Sequence, residues 1–320
     1  QEVASIEHDT DYGHYNSLVQ VDADTYVLAY EGDGWVRSTI ATFTISADGT
    51  SITEVASLVH DNTYGRHNSI VQVDADTYLL AYMGASSDGF IKTFTISSDG
   101  TSITEVDELE HDLYSGHYNS LVQVDADTYV LAYQGRSQDG FISTFTVSAD
   151  GTSITEVDEL EHDTIKNTWN SIVQVDADTY ALASNNSGGG TITTFTISAD
   201  GTSITEVASL VHDNTAVEHN SLCQVDSDTY VLAYTQGVDG DGFIKTFTIS
   251  SDGATITEVD ELEHDTNKGT SNSIVQVDSD TYALAYSGNG AYDGFIKTFT
   301  ISSDGTSITE VASLEHDTGT

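Results

Sequence analysis

Residues 16–30 read NSLVQVDADTYVLAY, and the stretch recurs nearly unchanged from Asn68, Asn119, Asn170, Asn220 and Asn272. It holds two runs rich in Val, Leu and Tyr on either side of an Asp-containing turn, the pattern of a β-hairpin. Outside it lies a second constant element, E-V-x-x-L/I-x-H-D. This begins at Glu2, Glu54, Glu105, Glu156, Glu206 and Glu258, and again, truncated, at Glu310, at intervals of 50 to 52 residues. Self-similarity at such a period outranks other sequence signals and means an array of like structural units.

Turn residues divide each unit into four strand-like runs, and nothing in it reads as a helix. In the second copy run one is residues 68–74 and run two is 77–82, joined at Ala75 and Asp76. Run three is 90–97 and run four 103–111, joined through Ser98-Asp99-Gly100, where Gly100 supplies the positive φ of the turn. Runs one and two are apolar on both faces, as a sheet packed between two others requires. Four antiparallel strands per fifty residues resembles the blade of a β-propeller, of kelch-like or Asp-box-like type. The turn at residues 46–52, SADGTSI, is similar to the Asp-box, with Asp48 and Gly49 adjacent rather than spaced. The expectation is an all-β chain, one six-bladed propeller domain over residues 1–320 with blades of four antiparallel strands. Run four occurs seven times and runs one to three six times, so one run-four strand at a terminus is surplus. An unpaired strand of this kind is a template for strand addition, giving a homo-oligomer or filament.

The variation between copies lies in two windows. The first, six residues long, is 10–15, 62–67, 113–118, 164–169, 214–219 and 266–271; the second, between runs two and three, varies from six to eight residues. In a meander both emerge on one face, which has the layout of a platform of variable loops on a rigid frame. The windows hold Tyr12, His14, Tyr15, Trp35, Arg37, Tyr64, Arg66, His67, Tyr114, His117, Tyr118, Arg136, Trp169, His219 and Tyr292. Tyr, Trp and Arg concentrate binding energy, so these are the expected ligand-binding residues. The repeated His-Asp and Asn-Ser pairs, present in every copy, read as structural. The turn aspartates Asp22 and Asp24 offer carboxylates of the type calcium takes, although Asp is also an ordinary turn former, and no cofactor is otherwise expected. Cys223, the only cysteine, stands where other copies have Val and reads as a small buried hydrophobe.

Eight Lys and Arg against 52 Asp and Glu give a formal charge of -44. Such a surface repels nucleic acid and anionic lipid, and no apolar run approaches the length of a membrane helix. The sequence thus reads as a secreted or cell-surface protein of a saline environment, a non-catalytic module that recognises a glycan or other surface ligand. Six-bladed fucose-binding lectins are similar by fold analogy alone. A self-assembling structural protein and a propeller glycoside hydrolase are the alternatives. With so many like charges on one body, the melting temperature should rise between dilute buffer and about half-molar sodium chloride. A flat or falling response would show that local pairing already cancels the repulsion.

Overall fold

Each of the four runs in the six full copies is a strand in the computed structural model, which describes residues 2–10, 13–32, 37–237, 240–288 and 293–317. Blade 1 comprises β1 (His14–Gln20), β2 (Thr25–Gly32), β3 (Arg37–Ile45) and β4 (Ile52–Asp61). Blade 2 comprises β5 (Arg66–Gln72), β6 (Thr77–Met83), β7 (Gly89–Ile96) and β8 (Ile103–Asp112). Blade 3 comprises β9 (His117–Gln123), β10 (Thr128–Gln134), β11 (Gly140–Val147) and β12 (Ile154–Asp163). Blade 4 comprises β13 (Thr168–Asp176), β14 (Thr179–Asn186), β15 (Gly189–Ile197) and β16 (Ile204–Asp213). Blade 5 comprises β17 (Val217–Gln224), β18 (Thr229–Gln236), β19 (Asp241–Ile249) and β20 (Ile256–Asp265). Blade 6 comprises β21 (Gly269–Asp278), β22 (Thr281–Gly288), β23 (Asp293–Ile301) and β24 (Ile308–Asp317). Each blade is a four-stranded antiparallel meander in chain order, so the fold is all-β with six propeller-type blades. The chain forms two compact units, Gln1–Thr164 with Ala199–Thr202, and Ile165–Ser198 with Ser203–Thr320.

The terminal copies of run four take different roles. The C-terminal copy is β24 and pairs in register with β23, from Ile308 opposite Ile301 to Asp317 opposite Gly294. The surplus run is therefore the N-terminal one, and residues 2–8 belong to no strand.

Within each unit a blade buries a small apolar forward face against the aromatic rear face of the next. Blade 1 offers Val27, Ala29 and Ile40, and blade 2 answers with Ile70, Tyr78, Leu80, Tyr82 and Phe94. The same exchange joins blades 2 and 3, 4 and 5, and 5 and 6. Cys223 belongs to the forward face of blade 5, where its place in the apolar packing fits the hydrophobic reading.

The His-Asp pairs are the polar part of these joints. His60, His111, His212 and His264 lie edge-on against Tyr82, Tyr133, Tyr234 and Tyr286 of the next blade, with ring centroids 4.7–5.1 Å apart. A Cβ on Gly89 would stand 2.6 Å from the His111 ring, which is why run three opens with glycine there. Blade 1 has Ser38 instead, and its hydroxyl bonds His60 Nε2 at 2.6 Å. The aspartates cap the loop that follows: Asp61 Oδ1 accepts from the Thr63 N–H and hydroxyl, and Asp61 Oδ2 from Tyr82 at 3.3 Å. Gly100, at φ +71°, gives its carbonyl to the Thr42 hydroxyl of the blade before it. Lys92 donates to the His60 carbonyl and pairs with Glu105 and Glu108 at 3.2 and 2.7 Å.

Blade 4 breaks the pattern with Ser184 where the other copies carry Tyr, and with Thr191 where copies 2, 3, 5 and 6 carry Phe. Both are buried and their hydroxyls meet at 3.2 Å.

Burial holds these histidines neutral. His60, His111 and His264 are pushed down to about 3, and His162 and His212 to about 4. The unfolded chain takes up protons on them below about pH 6.5 while the folded chain does not, so folding is favoured above that pH. Each histidine then removes about 1.4 kcal/mol of stability per pH unit until its folded-state pKa is reached. Chemical denaturation midpoints should therefore fall steadily from pH 6.5 to 4; a flat profile across that window would mean the histidines are already charged in the native joints.

Candidate functional site

The first strand of each blade carries a bulge at its entrance, and the bulged residue has a left-handed backbone. These residues are Tyr15, His67, Tyr118, Trp169, His219 and Ser271, with φ between 54° and 58°. None is glycine, so each conformation is strained and must be held by its surroundings. The holders are the Asn-Ser pairs. Asn68 Nδ2 donates to the carbonyls of Gly65 and of Tyr15 in the preceding blade, at 2.9 and 3.1 Å. Asn119 does the same to Gly116 and His67, and Asn220 reaches Trp169. The serines act one step along: Ser17 Oγ accepts from the Ile70 N–H, and Ser69 Oγ from the Leu121 N–H. In blades 2, 3 and 5 the asparagine thereby fixes the loop residue of the preceding blade.

In blades 1 to 3 this scaffold brings seven of the expected residues together. His67 lies 4.4 Å from both Tyr15 and Tyr118, and 5.2 Å from His117, centroid to centroid. His14 flanks Tyr15 at 6.3 Å. Arg66 places Nε 2.8 Å from Glu31 Oε1, and Glu31 is 1% exposed. The guanidinium carbon also sits 5.1 Å over the Tyr64 ring. Burial, then the charges of neighbouring His117 and Arg66, push His67 down to about 3. Burial followed by Arg66 lowers His117 as well, and burial raises the Tyr15 hydroxyl. The cluster is thus two neutral imidazoles beside a guanidinium whose charge is balanced by a buried carboxylate. It can accept a proton and stabilise a developing negative charge.

The remaining expected residues lie elsewhere. Tyr114 and Arg136 line an open depression of about 560 Å³ on blade 3, together with Ser115, Ser137 and Gln138. Arg37 is exposed at the start of β3. Trp169 and His219 pack against each other in the second unit, ring centroids 4.0 Å apart and planes tilted by 40°. Tyr12, Trp35 and Tyr292 fall outside the described residues. Asp22 Oδ1 accepts from the Ala23 N–H and Asp24 Oδ1 from the Thr25 hydroxyl, the ordinary bonds of a turn. Among the described residues no three His, Cys, Asp or Glu side chains are grouped to hold a cation. Sequence reasoning missed Glu31 as a partner; its signal was that only copy one has an acid at that position and only copy two an arginine at 66.

Residues 81–227 match a family model described as Lactonase, 7-bladed beta-propeller. Comparison with curated protein sequences finds no match. Among solved structures, a periplasmic gluconolactonase of Pseudomonas aeruginosa aligns with a TM-score of 0.73 and 13% identity, over 94% of this chain and 85% of that one. A Lactobacillus plantarum protein aligns at 0.69 and 13%, over 94% and 84%. Sqt1 of Chaetomium thermophilum, bound to the N-terminus of ribosomal protein L10, aligns at 0.60 and 14%, over 97% and 76%. At these identities the structures share the fold. They support a propeller and single out neither kelch-like nor Asp-box-like blades. The match to a lactone-hydrolysing family overturns the expectation of a non-catalytic glycan-binding or adhesion module, and with it the self-assembling and glycosidase alternatives. Loop aromatics and arginines misled because they serve catalytic clefts as readily as binding faces.

If Glu31 balances Arg66, Glu31→Gln should leave that charge less compensated and depress His67 and His117 further. Histidine ring resonances followed by NMR over pH 3–8 check this; unchanged titration of both rings would show that the 2.8 Å pair does not set the field of the cluster.

Proposed function

We propose that this chain hydrolyses lactones at the Arg66–His67–His117 cluster. The observation that carries the reading is the match of residues 81–227 to the lactonase family model, a span that includes His117 and Tyr118. The chemistry of the cluster fits. His117 accepts a proton from water as the water oxygen bonds to the lactone carbonyl carbon. Arg66, its plane fixed through Nε by Glu31, faces the charge that develops on the carbonyl oxygen. The acyl–oxygen ring bond then breaks, the departing ring oxygen takes up the proton, and the hydroxy acid leaves as its carboxylate. A base held near 3 is a poor acceptor at neutral pH, so His67 is the packed ring that positions His117 rather than the base itself.

The preferred substrate is an uncharged sugar lactone. A net charge of -44 opposes an anionic one, and the only arginine in the cluster already faces a carboxylate. The likeness to a periplasmic gluconolactonase supports a location outside the cytoplasm.

Hydrolysis of glucono-δ-lactone, followed by acid release and corrected for the spontaneous rate, tests the reading. His117→Ala should lower kcat by about 10²–10⁴-fold, and the wild-type acid limb should lie below the ordinary histidine range because His117 is depressed. A rate no faster than buffer alone would end the hydrolase reading.

A further inference from the structure

Run three carries a lysine at one step of blades 2, 5 and 6, namely Lys92, Lys245 and Lys297, where blades 1, 3 and 4 have Ala41, Ser143 and Thr193. Run four offers acids to that step. Blades 2 and 5 set two glutamates against the lysine, and blade 6 sets Glu310 alone. Blades 1 and 4 keep a single glutamate, with Ser57 and Ser209 opposite Ala41 and Thr193. Blade 3 alone has both acids, Glu156 and Glu159, and no lysine. The two complete examples show what such a pair holds. Lys92 Nζ lies 3.2 and 2.7 Å from Glu105 and Glu108 and donates to the His60 carbonyl at 2.9 Å. Lys245 Nζ lies 3.0 and 2.8 Å from Glu258 and Glu261 and donates to the His212 carbonyl at 2.8 Å. Both lysine side chains are buried and their carboxylates partly exposed, so a small cation rests on a backbone carbonyl beneath two acids open to solvent.

Blade 3 keeps the frame of those sites. Glu159 lies opposite Ser143 and Glu156 opposite Phe145, the register of Glu108 on Lys92 and of Glu105 on Phe94. His111 packs edge-on against Tyr133 as His60 does against Tyr82, so its carbonyl is the counterpart of the floor. Two further observations bear on what the acids face. Ser143 is 0% exposed, and its hydroxyl lies beside Tyr133 and Glu156 without closing a hydrogen bond of ordinary length and angle to either. Tyr133 also departs from its counterparts. Tyr82, Tyr234 and Tyr286 donate to an aspartate of the preceding blade, whereas Tyr133 donates to Glu159 Oε2 at 3.0 Å. We propose that the Ser143 hydroxyl, Glu156, Glu159 and the His111 carbonyl form a site for a monovalent cation of ammonium size, potassium or ammonium itself. The ion takes the part that the lysine ammonium plays in blades 2 and 5, relieving the repulsion of two neighbouring carboxylates. The spacings around Lys92 and Lys245 set its size: they exceed the roughly 2.3–2.6 Å at which oxygens hold calcium.

The test compares melting temperatures in potassium, ammonium and tetramethylammonium chloride at one ionic strength of about 0.3 M, where general screening is the same. Tetramethylammonium is too large to sit between the acids. The melting point should be higher by about 2 °C in potassium or ammonium chloride, since an ion bound by the folded chain alone stabilises it. Glu156→Gln with Glu159→Gln should abolish that difference, while Glu54→Gln with Glu206→Gln, an equal loss of charge, should leave it intact. Ser143→Lys should also abolish it, and should raise the melting point in tetramethylammonium chloride by supplying the ammonium from within the chain. If that variant does not fold, the two glutamine pairs decide alone. Equal melting points of the unaltered chain in all three salts would overturn the proposal, as would a difference that survives loss of Glu156 and Glu159. Stabilisation by millimolar calcium instead, lost in the same variant, would overturn the assignment to a monovalent ion.

Discussion

Everything in this molecule rests on one contact made again and again: a forward face of Val, Ala and Ile laid against a rear face of Tyr, Leu and Phe. The pairing is steric as much as hydrophobic. Small residues on one sheet leave room for the large rings of the next, so Tyr78, Tyr129, Tyr230 and Tyr282 are all fully buried. Because each blade needs only its neighbours, the array can repeat a nearly constant sequence without a single central core. The histidines extend that contact into the polar zone. They are buried without hydrogen bonds to most ring nitrogens, as at His111, His212 and His264, and persist because glycine beneath and tyrosine alongside leave a slot of imidazole shape.

The candidate site is a by-product of the same joints. Asparagine from one blade pins the carbonyl of a left-handed residue in the blade before it, and this turns Tyr15 and His67 into one packed group with Tyr118. Strained non-glycine residues at six equivalent positions cost stability at each. Only in blades 1 to 3 is that cost attached to a cluster of histidines with an arginine and a buried carboxylate. The symmetric frame supplies the position, and a few substitutions in the windows supply the chemistry.

Much of this was legible in the residues. The period fixed six four-stranded blades, Asp-Gly turns marked the reversal between runs three and four, and the windows contained every member of the cluster, Glu31 included. The pairing of Glu31 with Arg66 was hidden because the two are 35 positions apart and belong to different blades, a juxtaposition that only packing creates. Two other readings depended on competition between like segments. Both terminal copies of run four carry the same pattern, so pattern alone could not say that the C-terminal one would complete a blade. The His-Asp pairs read as structural, but their placement against the next tyrosine needs three dimensions. Function was read least well, because aromatic and arginine-bearing loops suit a lectin and a hydrolase alike.

The direct measurement of the central claim is a titration of the histidine ring signals with gluconate, the product of glucono-δ-lactone hydrolysis, by NMR. The account predicts that the His67 and His117 resonances shift together and saturate, while those of His111, His212 and His264 in the blade joints stay where they are. Shifts confined to His219, or none at all, would contradict the placement of the active site on blades 1 to 3.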